Sequence, residues 1–110
     1  MRQLNVYYNE KKAGVLTEFR PGNGYRFEYT SEYLAGDFPH VSVTLPKNNP
    51  SYESKLLFPF FSNLLPEGAL RRVVCREYHI DENDLFGILC VMSRADAIGA
   101  IHLKTMDDEG

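Results

Sequence analysis

Residues 58–78 read Phe-Pro-Phe-Phe-Ser-Asn-Leu-Leu-Pro-Glu-Gly-Ala-Leu-Arg-Arg-Val-Val-Cys-Arg-Glu-Tyr and form the longest part of the chain that is dense in large apolar side chains. Pro66 stands where a helix can begin, because the first helical position needs no amide hydrogen. Beyond it, four apolar residues recur at helical spacing: Leu70, Val73, Val74 and Tyr78. This spacing predicts a buried stripe on an amphipathic helix whose solvent side carries Arg71, Arg72 and Arg76.

The turn before this helix has two interpretations. Its residues are Ser62, Asn63, Leu64, Leu65, Pro66, Glu67 and Gly68. If the two leucines point inward, they simply belong to the core. If the turn presents them outward, they offer an apolar anchor to a partner protein. Because the spacing alone favours neither orientation, residues 62–68 are a candidate partner-binding segment.

The length and composition of the chain indicate one globular domain. With 110 residues, 44% hydrophobic and 25% charged, it can bury its own core without metal or disulfide. We expect residues 1–105 to form the domain and 106–110, Met-Asp-Asp-Glu-Gly, to be an acidic tail. The formal net charge of −3 argues against direct nucleic-acid binding, which needs a basic surface.

The cysteines and the amino terminus bear on the compartment. Cys75 and Cys90 both lie among apolar residues of predicted helices, so we expect buried, reduced thiols. The first residues show no secretory leader, and no apolar run approaches the length of a membrane span. A cytoplasmic location is the resulting expectation.

Alternation of apolar and polar residues predicts four early strands, separated by polar or Pro-Gly turns. They are Leu4–Tyr8, Val15–Phe19, Tyr25–Tyr29 and Val41–Leu45, with Lys47–Ser54 as a following loop. Ser31 is expected to cap one helical turn over Ser31–Leu34, and Asp81 to cap a second amphipathic helix with apolar residues from Leu85 to Met92. A last strand is predicted over Ile98–Thr105.

This order of elements predicts an α+β domain: a small antiparallel, curled and partly barrel-like sheet packed by two to three helices. A parallel sheet is disfavoured because the turns between the early strands are too short for crossover helices.

A search for catalytic or metal-binding constellations gives no site. His40, His79 and His102 lack partners at metal-ligand spacing, and no glycine-rich loop is placed to cradle phosphate. Cys75 and His79 share a helix face and would allow a small hydrolase, but a buried thiol is a poor nucleophile. We therefore expect a non-enzymatic protein without cofactor or metal.

Several motifs together resemble the amino-terminal subdomain of HipA-type serine/threonine kinase toxins. They are Ala13-Gly14-Val15-Leu16, residues 41–46, the run from Phe60 to Gly68 followed by Arg71, Asp84-Leu85-Phe86-Gly87-Ile88-Leu89, and Asp96 with Gly99-Ala100. The resemblance covers nearly the whole chain. Two departures stand out: Met92-Ser93-Arg94 replaces the usual Ile-Gly pair, and the ATP-binding loop and catalytic and metal-binding aspartates of the kinases have no counterpart here.

The resemblance extends to the stand-alone form of this subdomain, the HipS family of three-part HipBST toxin–antitoxin systems. It implies an antitoxin that binds a HipT-like kinase in trans and holds it inactive, with a HipB-like DNA-binding protein as a further component. The net charge and the lack of a long apolar run, in turn, predict no direct contact with nucleic acid and none with a membrane. The alternative is an amino-terminal structural or regulatory domain cut from a single-chain HipA-like kinase.

Overall fold

The computed structural model describes residues 1–93 and 101–105, in which strands and helices form an α+β domain. In chain order the elements are β1 (Arg2–Tyr8), β2 (Lys11–Arg20), β3 (Gly24–Tyr29), α1 (Ser31–Ala35), β4 (Ser51–Ser54), α2 (Pro59–Ser62), α3 (Gly68–Tyr78), α4 (Leu85–Met92) and β5 (Ile101–Thr105). The predicted acidic tail and residues 98–100 of the predicted last strand lie outside the described residues.

The strands form one antiparallel sheet in the order β4-β3-β2-β1-β5, which confirms the predicted fold class. The sheet is open, since β4 and β5 lie at its two edges. The described residues contain four helices where two to three were predicted, and two of these, α1 and α2, are only about one turn long.

The three central strands meet through a shared apolar face. Leu4 of β1 lies opposite Leu16 of β2, which in turn lies opposite Phe27 of β3, and all three side chains are buried. Gly14 allows this close packing, because a Cβ there would collide with the carbonyl oxygen of Glu28 and with the Phe27 ring. The apolar residues of α4 complete the core with Phe86, Ile88 and Leu89.

A row of aromatic rings crosses the core from α2 to the α1 region. The Phe27 ring lies 5.7 Å from that of Phe61 and 4.9 Å from that of Tyr29. Tyr29 stacks on Tyr33 at 5.8 Å, and Tyr33 stacks on Phe38 at 4.9 Å. The aromatic face of β3 is therefore the surface against which both flanking segments pack.

The prediction of a fourth strand over residues 41–45 is wrong. These residues form turns, in which the amide of Leu45 donates to the carbonyl of Ser42 at 3.0 Å. The Tyr29 hydroxyl explains why the segment turns, because it accepts from the Val41 amide at 3.0 Å and donates to the Leu45 carbonyl. Val41 and Leu45 are thus both buried around one hydroxyl, while Val43 is 89% exposed at the tip.

The edge strand β4 instead lies within the segment predicted as a loop, 47–54. Two helix caps also differ from prediction. Thr30, not Ser31, caps α1 by accepting from the Tyr33 amide at 3.1 Å. Asp84, not Asp81, caps α4 through the Gly87 amide at 3.1 Å, because the Asp81 carboxylate accepts from Asn83 in a preceding turn.

We predict that Tyr29→Phe lowers the free energy of unfolding by about 1–3 kcal/mol, because it leaves two buried backbone groups without a partner. Urea unfolding measures this change. Tyr52→Phe is the matched control, since the Tyr52 hydroxyl is only partly buried and donates one bond, to the Pro46 carbonyl at 2.6 Å. Equal stability of the Tyr29→Phe variant and the wild type would contradict the assignment.

Candidate partner-binding surface

The segment between α2 and α3 is anchored at its start by an aromatic side chain. Pro59 occupies the first helical position of α2, and Phe61 two residues later is fully buried against Phe27, Phe58 and Phe60. The turn then continues beyond the helix, as the Leu64 amide donates to the Phe61 carbonyl at 3.1 Å and the Leu65 amide to the Ser62 carbonyl at 3.2 Å. These bonds fix the direction in which each leucine leaves the backbone.

The two leucines of the candidate segment 62–68 point in different directions. Leu65 is 6% exposed and belongs to the core, together with the buried Pro66. Leu64 is 41% exposed, between the exposed side chain of Asn63 and the buried Leu65. The two leucines therefore differ in orientation: Leu65 is a core residue, and the Leu64 side chain is partly exposed. Whether Leu64 contacts a partner stays a prediction.

The helix α3 begins two residues later than predicted. Pro66 does not start it, because Gly68 has φ +56°, a left-handed conformation that a right-handed helix begun at Pro66 could not contain. Glycine tolerates this conformation without the steric cost of a side chain. The Pro66 carbonyl accepts from Arg71 Nε at 3.0 Å, which ties the first turn of α3 back to the segment.

The apolar stripe predicted to be buried on α3 is largely exposed. Leu70, Val73 and Tyr78 are 59%, 48% and 53% exposed, and Val74 is half-buried. Of the eleven residues of α3, Cys75 alone is buried in the part of the chain that the structure describes. The helical spacing predicts the helix, but the predicted burial of the stripe is wrong, because the described residues leave this apolar face largely uncovered.

The Cys75–His79 pair lacks the setting of a nucleophile and its base. Burial raises the pKa of the Cys75 thiol, which disfavours the thiolate needed for attack. His79 ends α3 in a left-handed conformation with an exposed side chain. Cys75 is buried as predicted, but Cys90 is only half-buried, less than predicted.

A second polar cluster joins β1, β2 and the start of α4. The Arg2 guanidinium contacts Glu18 at 2.6 Å and Asp84 at 2.7 Å, and it lies 5.2 Å from the centre of the Phe86 ring. Hydrogen bonding from Arg2 holds the pKa of Asp84 below its usual value, with a further bond from the Gly87 amide. Because Arg2 pairs with both carboxylates, this cluster links β1 and β2 to the start of α4.

Residues 1–93 and 101–105 contain no group of three His, Cys, Asp or Glu side chains placed to hold a metal ion. Within the same residues, every helix is too short or too polar to cross a bilayer.

The geometry thus defines a small α+β domain with a partly exposed leucine on a hydrogen-bonded turn. The family profile of the HipA N-terminal domain matches residues 4–104. The chain therefore belongs to the HipA N-terminal domain family. A solved structure titled "N-terminal domain of HipA toxin" superimposes with a TM-score of 0.68 and 27% identity, over 94% of this chain and 92% of that one.

Two curated relatives place the domain in different contexts. A Haemophilus influenzae protein named "Uncharacterized protein" is 31% identical over 104 residues, which cover 94% of this chain and 92% of that protein. The Sinorhizobium fredii protein named "Putative kinase Y4mE" is 30% identical over 99% of this chain but only 26% of its own length. The domain thus makes up nearly all of the first relative and about a quarter of the second.

We predict that Asp84→Asn lowers stability at neutral pH by about 1 kcal/mol or less, because Arg2 is 41% exposed and solvent screens the pair. Asparagine keeps the cap but removes the charge. Since the native pKa of Asp84 is lowered, its contribution is present above the unfolded value of about 3.9 and is lost as pH falls through the native pKa. The two unfolding curves should therefore converge below about pH 4, and a constant difference from pH 7 to pH 3 would contradict this role.

The two leucines of the segment should differ in their effect on folding. Leu65→Ala should lower the free energy of unfolding by about 2–5 kcal/mol, as expected for a buried leucine. Leu64→Ala should change it by about 1 kcal/mol or less, since its side chain already contacts solvent. Thermal unfolding of both variants decides this, and equal losses would show that Leu64 is also a core residue.

Proposed function

We propose that this chain is a non-enzymatic antitoxin subunit that binds a HipA-like serine/threonine kinase toxin of the HipT type in trans and holds it inactive. The observation that carries the proposal is the exposed Leu64, held on a hydrogen-bonded turn between a buried phenylalanine and a buried leucine. A rigid, presented apolar side chain is suited to anchor an interface, because little conformational entropy is lost when a partner covers it.

The segment 62–68 is the proposed contact with the kinase. Leu64 would enter an apolar pocket of the kinase, and the exposed side chains of Asn63 and Glu67 would form the polar rim around it. Leu65 and Pro66 are buried and lie on the core side of this segment. A HipB-like protein would supply any DNA contact of a ternary complex, since the net charge of −3 disfavours phosphate binding by this chain.

The Haemophilus influenzae relative supports action in trans. In that relative the matched region covers 92% of the protein, which leaves no room there for a kinase core. The second candidate function is a structural or regulatory domain acting in cis within a longer kinase. The relative named as a kinase favours it, because the same domain covers 26% of that protein.

The test mixes the purified chain with a HipA-like kinase whose own sequence lacks this domain. We expect a stable complex and loss of phosphate transfer from ATP by the kinase. Leu64→Ala should weaken binding by about 2 kcal/mol, roughly thirtyfold, if Leu64 is a central anchor. Binding is measured by calorimetry after the melting temperature of the variant has been shown to match the wild type.

Val43→Ala is the matched control, because Val43 is an exposed apolar residue on another turn. It should leave the dissociation constant unchanged within about twofold, as expected for a residue outside the contact. The absence of any complex at micromolar concentrations would refute action in trans. A complex that leaves kinase activity intact would refute inhibition and favour the structural role.

A further inference from the structure

We infer that the outward face of α3 is a second contact with the kinase, and that it docks on a kinase surface with an apolar ridge bordered by carboxylates. The inference rests on the proposed function and adds the chemistry of the surface that the kinase must present. The face consists of Ala69, Leu70, Arg72, Val73 and Arg76, which all expose their side chains.

The packing of α3 is the first observation behind this inference. A helix of eleven residues is marginal by itself in water, and helices of this length depend on burying an apolar face. Within the described residues α3 buries Cys75 only, while Leu70 and Val73 stay about half exposed. Because Leu70 and Val73 are three residues apart, they lie on one side of the helix and form a ridge that a partner can cover.

The charges of α3 indicate what the partner carries. The helix has three arginines and one glutamate in a chain whose formal net charge is −3. Arg72 and Arg76 are four residues apart and border the face on one side, opposite Leu70. Carboxylates on the kinase would be steered to this border and would face two exposed guanidinium groups.

Acidic groups of the chain itself argue against nucleic acid as the occupant. Arg72 and Arg76 line a cleft together with Asp81 and Glu82, and the exposed Glu77 lies beside the face, one turn beyond Val73. A nucleic-acid backbone carries a continuous row of phosphates, which would lie against these carboxylates as well as against the arginines. A protein can place single carboxylates at the two arginines and leave the acidic residues uncontacted or paired with a cation. An apolar centre with mixed charges at its edge is instead typical of a protein interface.

The experiment measures association with the same kinase for two variants of α3. Val73→Asp puts a charge at the centre of the face, and we expect at least a tenfold faster dissociation. Arg72→Glu combined with Arg76→Glu should slow association about tenfold at low salt, and the difference should shrink at high salt. Hydrogen exchange of residues 68–78 in the wild type should slow when the kinase is added, because binding covers the helix.

Val43→Asp and Lys55→Glu are matched controls on exposed residues of other segments and should bind like the wild type. One result would refute the inference and leave the proposed function standing. In that result the wild type binds the kinase and Leu64→Ala weakens binding, but both α3 variants bind like the wild type and hydrogen exchange of residues 68–78 does not change. If the wild type does not bind at all, the proposed function itself fails. The inference also fails if the α3 variants still bind the kinase but lose binding to duplex DNA or to a second copy of the chain.

Discussion

The packing of aromatic rings along β3 is the constraint on which the rest of the structure depends. Phe27 and Tyr29 leave the strand on one face, and each contacts a segment that lies outside the sheet. Phe27 holds Phe61 and with it α2, so it sets where the turn with Leu64 begins. Tyr29 holds Tyr33 by stacking and the 41–45 turn by two hydrogen bonds, so one strand positions chain on both sides of the core.

The sequence predicted the central strands because their alternation reflects one buried face and needs no distant partner. It failed at residues 41–45, where the same alternation belongs to a turn. Val41 and Leu45 are buried as a strand would bury them, but they surround the Tyr29 hydroxyl. Tyr29 is twelve positions from Val41 and sixteen from Leu45, so its hydrogen bonds to their backbone groups leave no local pattern in the sequence. These bonds become visible only in the folded structure.

The candidate segment shows the same limit in another form. The adjacent Leu64 and Leu65 have the same side chain, so composition could not tell which one is presented. Two backbone hydrogen bonds from the end of α2 make that choice. For α3 the spacing of the apolar residues predicts a helix with one apolar face. The spacing does not tell whether that face packs on the same chain or on another protein.

The difference between action in cis and in trans is a difference in the affinity that the surface must supply. A domain tethered to its kinase works at an effective concentration of about 1 mM, so an intrinsic dissociation constant of about 1 μM keeps it docked. A separate subunit at nanomolar concentration is even half bound only if the dissociation constant is about a thousandfold lower, which is about 4 kcal/mol more binding free energy. Burial of one leucine side chain that is now partly exposed contributes about 2 kcal/mol of this. A trans-acting protein with this fold therefore needs a second apolar contact besides Leu64, and among the described elements α3, with Leu70 and Val73 exposed, offers such a surface.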